Sequence, residues 1–154
     1  MAKQPVKMTK NTMKVSDISL THIQIRDALP ALKWLQNQPV GARAGLIVAR
    51  QGRALADHAR DAEEVRVSLL RKYAVKDDNG EPIEIPKLDE NGNPIANRTD
   101  YKLENQEALN EEWTEVMLQA IEVSVPLIPL ESLDKPDVVL TPVHMMALEP
   151  LLSE

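Results

Sequence analysis

Apolar and small side chains recur at helical spacing through the middle of the chain, at Val48, Leu55, Ala59, Ala62, Val65, Leu69 and Tyr73. No proline interrupts the chain between Pro39 and Ala74. The pattern predicts one helix from Pro39 to Ala74, with Pro39 in the first turn, where its missing N–H costs nothing. Such a helix would be roughly 50 Å long at 1.5 Å per residue. The rest of the chain is expected to fold against it or hang from its ends.

Upstream, Val15 to Leu20 alternates weakly and suggests a short strand. Ile25, Leu29, Leu32 and Leu35 then mark a first helix beginning near Thr21 or Asp27 and ending at Gln36. Pro30 either falls in its first turn or kinks it. A short connection through Gln38 makes this helix and the long one an αα-hairpin. Downstream, Lys76 to Lys102 turns to Asp, Asn, Gly, Pro and Glu. Asn79-Gly80 and Asn91-Gly92 are hairpin-turn dipeptides, and Ile83 and Ile85 alternate with polar residues between them. A small β-hairpin or a two-turn excursion is expected.

Asn105 is a good N-cap for a third helix running to Gln119 or Ala120, with Glu107 in its first turn. Its buried face would be Leu109, Val116, Met117 and Ala120, edged by Trp113. Ile121, Val123, Val125 and then Leu127 and Ile128 mark a strand in which Glu122 and Ser124 face out, and Pro126 and Pro129 confine it to an edge. Thr141 and Pro142 start a short helix through Met145, Met146 and Leu148 that Pro150 stops. The fold class is therefore mainly α with a small β part (α+β). Residues 1–14 form a basic N-terminal arm. Residues 15–154 form a single helical domain with a polar insertion at about 76–104.

The 154 residues suit one domain with a real core. With no Phe, two Trp and two Tyr, that core must be aliphatic and methionine-filled. Cysteine is absent, which removes disulfides and thiolate chemistry together. No apolar h-region precedes Lys14, and no run approaches a membrane span, so neither a signal peptide nor membrane insertion is expected.

Charge is unevenly placed: +4 over residues 1–39, +3 over 40–75, −7 over 76–112 and −6 over 113–154. The acidic half is expected to fold onto the basic helix, with head-to-tail pairing of copies as the alternative. The arm carries Lys3, Lys7, Lys10 and Lys14 among Gln, Asn and Thr. Its composition does not form a core, and without aromatics or arginines beside the lysines it does not make a nucleic-acid surface. The lysines are read as contacts to a neighbouring subunit.

Candidate chemistry is sparse. His22, His58 and His144 are scattered, and no zinc, phosphate-loop, dinucleotide or nucleophile-elbow motif is present, so no metal, cofactor or catalytic residue is expected. Asp89, Asn91 and Asn93 resemble the start of a calcium loop, but Pro94 stands where the turn glycine belongs and Asp100 where the bidentate glutamate belongs. Gly41, Gly45 and Gly52 weaken the long helix by about 1 kcal/mol each. Close approach of a neighbouring helix over these small residues is the expected compensation. Arg43, Arg50 and Arg53, read as lying beside the glycines, could clamp phosphates or carboxylates; salt bridges to the acidic half are the plainer expectation. These six residues are the candidate ligand or partner contacts.

The order of signals resembles a widespread group of small tailed-bacteriophage proteins of unknown function. It rests on ALPALKWL (Ala28 to Leu35), QPV (Gln38 to Val40), LLRKYAVKDDNGEP (Leu69 to Pro82), NQEALNEEW (Asn105 to Trp113), VPLIPLESL (Val125 to Leu133) and MMALEPLL (Met145 to Leu152), over about residues 20 to 154. The lysine-rich arm and the polar stretch from Lys87 to Asp100 depart from it. The resemblance implies a phage product in the virion or the host cytoplasm, partnered by other phage proteins or copies of itself. It carries over no functional residue. The first expectation is a non-enzymatic structural or assembly protein whose arm and hairpin dock on neighbouring subunits. The second is an intracellular counter-defence protein, an oligomeric nucleotide sponge or a host-protein inhibitor.

Overall fold

A computed structural model of the chain describes residues 13–154; Lys3, Lys7 and Lys10 lie outside the described residues, and Lys14 within them. The fold is α+β, with four α-helices and three two-stranded sheets among the described residues. The residues group into two compact units: one takes the chain up to His58 together with Ala120–Glu154, the other Ala59–Gln119. Where the sequence suggests one domain from residue 15 onward, the contacts cluster in two units, and the polar insertion expected at about 76–104 falls inside the second.

In the first unit, strand β1 (Val15–Thr21) pairs antiparallel with β4 (Ala120–Pro126), from Val15 opposite Pro126 to Thr21 opposite Ala120. The Ser124 hydroxyl donates to the Asp17 carboxylate directly across this ladder. Thr21 ends β1 and begins helix α1 (His22–Leu35) with a capping box: its hydroxyl accepts from Gln24 N at 3.2 Å, and the Gln24 carbonyl oxygen accepts from Thr21 N at 2.9 Å. Two orphan donors are thus satisfied, and the helix starts at His22 and runs through Pro30. It buries Ile25, Ala28, Ala31, Leu32 and Leu35.

The long helix, α2, spans Ala42–Tyr73, three residues shorter at its start than the sequence suggests. Pro39 is not in its first turn. It sits in a tight bend in which Val40 N donates to Gln38 O at 2.9 Å. Gly41 follows in the left-handed region, at φ 90°, and its carbonyl accepts from Gly45 N at 2.9 Å. A side chain would be strained there, so glycine sets where the helix begins. Ala44, Ile47, Val48, Gln51 and Leu55 then point into the core.

The C-terminal segment completes this unit. Short strands β5 (Ile128–Pro129) and β6 (Leu152–Ser153) pair in parallel. Helix α4 (Pro142–Leu148) is capped by the Thr141 hydroxyl, which accepts from His144 N at 3.3 Å, and it packs on α1. Leu148 and Leu151 are fully buried.

The second unit holds the later turns of α2, a hairpin of β2 (Glu84–Leu88) and β3 (Pro94–Tyr101), and helix α3 (Gln106–Leu118). Two turns of one design bracket β2. In each, an Asp carboxylate oxygen accepts from two backbone N–H groups: Asp77 from Asn79 and Glu81, Asp89 from Asn91 and Asn93. In each, the following glycine takes a positive φ, 79° at Gly80 and 83° at Gly92. At the base of the hairpin, Val75 N donates to Lys102 O at 2.7 Å and Ile83 N to Val75 O at 2.8 Å, so three short segments pair where Ala74 is buried. Asn105 caps α3 from a left-handed conformation, φ 50°, its side chain accepting from Ala108 N at 3.3 Å. Leu109 and Met117 are buried as expected, while Ala120 is exposed at the start of β4 and takes no part in the α3 face.

The expected buried stripe of α2 holds at Val48, Leu55 and Ala62 and fails at Val65, which is 40% exposed. The reason is the second unit's small core: only Ala62, Ala74, Leu109 and Met117 are buried in it. The close helix approach expected at the glycines is also absent. A Cβ at Gly45 would meet nothing within 4 Å, and one at Gly52 only the Gln36 side-chain amide at 3.8 Å.

Candidate functional site

Arg43, Arg50 and Arg53 are exposed on the first turns of α2. At 3.6 residues per turn they fall on one side of the helix, with Leu46, 44% exposed, in the middle of them. Gly45 and Gly52 lie on the opposite flank of the buried stripe, so helical geometry separates the glycines from the arginines. Gly41 precedes the helix, its nearest outside neighbour the Lys135 ammonium, 3.9 Å from where a Cβ would stand. The arginines are brought together; the glycines do not join them.

Among the described residues, neither Arg43 nor Arg53 has an acidic partner. Arg50 Nη1 donates to Met13 Sδ at 3.5 Å, which brings the first described residues, and Lys14 with them, up to this strip. The expected salt bridges between these arginines and the acidic half do not form. The two halves meet elsewhere, at Lys72, whose ammonium donates to the Glu112 carboxylate at 2.9 and 3.2 Å. That bond holds the Glu112 carboxyl below the usual carboxylate range and raises the Lys72 ammonium; the same carboxylate pushes the Tyr73 hydroxyl up. Glu63 and Arg66 pair one turn apart on α2 at 2.5 Å, lowering the Glu63 carboxyl and raising Arg66.

Other features escape a reading of sequence alone. Gln51 is fully buried, and its Nε2 donates to Pro126 O at 2.7 Å and to Leu151 O at 3.1 Å, while Oε1 has no partner. One side chain therefore ties α2 to the end of β4 and to the C-terminal segment. The signal was a lone amide on an otherwise apolar stripe. Trp34 stacks on His144 with ring centroids 5.4 Å apart and donates from Nε1 to Val139 O at 2.8 Å. Around this pair Val139, Val143 and Met146 are 61–74% exposed.

The β2–β3 hairpin is the most exposed element of regular structure in the second unit. All five residues of β2 are exposed, as are all but Ile95 and Tyr101 of β3. Ile85 and Leu88 stand 42% and 57% open to solvent. Each strand also keeps one unpaired edge. A lone two-stranded ribbon is marginally stable in water, and apolar side chains on both an open face and an open edge are what an added strand or a neighbouring surface would cover.

No group of three or more His, Cys, Asp or Glu residues is placed to hold a metal ion among the described residues. The Asp89 carboxylate accepts from its own turn's backbone. No helix of the described residues is long and apolar enough to cross a membrane. Compared with known proteins, the chain matches no family model, no curated protein and no solved structure.

Proposed function

We propose that this chain is a non-enzymatic assembly protein that docks on neighbouring subunits, as a virion component or an accessory subunit of a tailed bacteriophage. The phage assignment comes from the resemblance of its motif order to small tailed-phage proteins. The docking role is supported above all by one observation: the β2–β3 hairpin is exposed on both faces and both outer edges, in a unit with only four buried side chains. Such a ribbon spends conformational entropy on order that its own chain hardly repays. Coverage by a neighbour in an assembly supplies the missing burial. Mass spectrometry of purified phage particles tests the reading. The protein should be present at a fixed copy number, and a chain with Ile85→Asp and Leu88→Asp should fold yet drop out of the particles. Absence of the unaltered protein from both finished particles and assembly intermediates refutes it.

A second reading has its own support. Arg43, Arg50 and Arg53, exposed on α2 and two of them without an acidic partner among the described residues, suit a protein that binds phosphate groups in the host cytoplasm, such as an oligomeric nucleotide sponge. Cyclic nucleotides should then raise its melting temperature, and Arg50→Ala with Arg53→Ala should abolish the rise without altering the fold. An unchanged rise in that variant removes the arginines from the reading.

A further inference from the structure

We infer that copies of this chain associate head to tail, the arginine strip of α2 in one copy lying on the outward face of α3 in the next. The inference rests on the assembly reading and names one of its interfaces. Its first support is the strip itself. Arg43, Leu46, Arg50 and Arg53 present an exposed apolar side chain framed by guanidiniums, two of which have no acidic partner among the described residues. Arginines framing a leucine are an interface composition, since guanidinium is weakly hydrated and pairs bidentately with carboxylates. Asp57, which has an interaction of its own, closes the strip one turn beyond Arg53.

The second support is the matching face. Glu107, Glu111 and Glu115 are exposed at four-residue spacing on the side of α3 opposite Leu109 and Met117, and none is in an ion pair among the described residues. Like charges at that spacing repel, so an incoming cationic surface relieves a cost built into the helix. Glu112, turned away from this row, is already held by Lys72. The two rows also agree in length: the ten helical steps from Arg43 to Arg53 cover about 15 Å, and the eight from Glu107 to Glu115 about 12 Å. Strip and face belong to different parts of the chain. Pairing them is therefore heterologous, and it propagates into a ring or a filament.

Sedimentation velocity of the full chain at about 50 and about 500 mM salt tests this with two charge-reversed variants. One is R43E/R50E/R53E; the other is E107K/E111K/E115K. The unaltered chain should associate with rising concentration, and more weakly at high salt. Each variant alone should bind itself at least tenfold more weakly, and the two mixed should associate again, because each then offers the other a complementary surface. Far-UV circular dichroism verifies the fold, and R43Q/R50Q/R53Q gives a milder version if reversal disturbs α2. A monomer at all concentrations overturns the inference, as does association that survives both reversals. Association lost on removing residues 1–12 but kept in R43E/R50E/R53E also overturns it, in favour of the lysine arm. A monomer still found in purified particles refutes this interface and leaves the assembly reading standing; a self-associating chain absent from particles and intermediates does the reverse.

Discussion

Replacing Gln51 probes how the first unit is held shut. Its amide donates two hydrogen bonds in a fully buried setting, to Pro126 O and Leu151 O. In Gln51→Ala both carbonyls lose that donor, at about 1–3 kcal/mol each, and the truncated side chain leaves a void. Against this, Oε1 has no partner, so removing it returns about 1–3 kcal/mol. The balance is a loss of about 3 kcal/mol. Gln51→Met fills the space and also removes Oε1, so about 1–2 kcal/mol is expected. Gln51→Glu places a carboxylate among carbonyl oxygens and should cost more than alanine does. The assay is urea unfolding followed by fluorescence in a Trp113→Phe background, where Trp34 alone reports on the first unit. The predicted order of stability is Gln, Met, Ala, Glu. If Gln51→Met equals or exceeds the unaltered protein, the unpaired Oε1 cancels the two bonds and Gln51 is no clamp.

In the second unit, Asn105→Ala should cost about 2 kcal/mol, losing both the cap and a residue suited to φ 50°, whereas Asn105→Gly should cost a few tenths; equal costs in thermal melts would show that the left-handed backbone is not what matters. Gly80→Ala and Gly92→Ala should each cost about 1–2 kcal/mol, because both glycines have positive φ and open surroundings, so strain is the only penalty. Lys72 holds the Glu112 carboxyl below its unfolded value, so the pair stabilises the fold above the usual carboxylate range and its contribution is lost as pH falls through the folded value. Lys72→Met should raise the Glu112 titration, read by carboxyl NMR, and its stability deficit should shrink on acidification; a deficit that grows reverses the sign and refutes the pairing.

What could be read from the sequence was what a few neighbouring residues decide. Asn105 and Thr141 cap helices, the two Asn-Gly pairs turn the chain, and Ile121, Val123 and Val125 alternate along β4 because each signal acts within one turn or one pleat. The capping box of Thr21 and Gln24 was equally local and would have fixed the start of α1 without reference to Pro30. Misreadings arose where distant packing decides. Gly41 and the bend at Pro39 set the start of α2, and helical spacing cannot show that. Val65 continues an apolar stripe, but burial needs a partner surface, and the small second unit offers little. Gln51 gives no local signal of its role, because its two acceptors lie 75 and 100 residues away. The arginines and glycines share a stretch of sequence, yet a helix puts them on different flanks.

The same geometry limits both functional readings. Arg43, Arg50 and Arg53 project from the exposed side of a single helix, spread over about 15 Å of its axis. Only Arg50 and Arg53, one turn apart, are near enough to share one small anion, and they reach it from one side only. Gripping a phosphate bidentately from two sides therefore requires a second surface, and a sponge built on these residues would hold its ligand between copies. An assembly protein makes the same demand from the other direction, since its exposed hairpin and its row of glutamates need a neighbour to cover them. Both readings thus predict an oligomer and differ in what fills the interface. If carboxylates of the next copy occupy the arginines, added nucleotide competes with association and disperses the oligomer. If phosphate is the natural occupant, nucleotide cross-links copies and strengthens association. The sign of that one response decides between them.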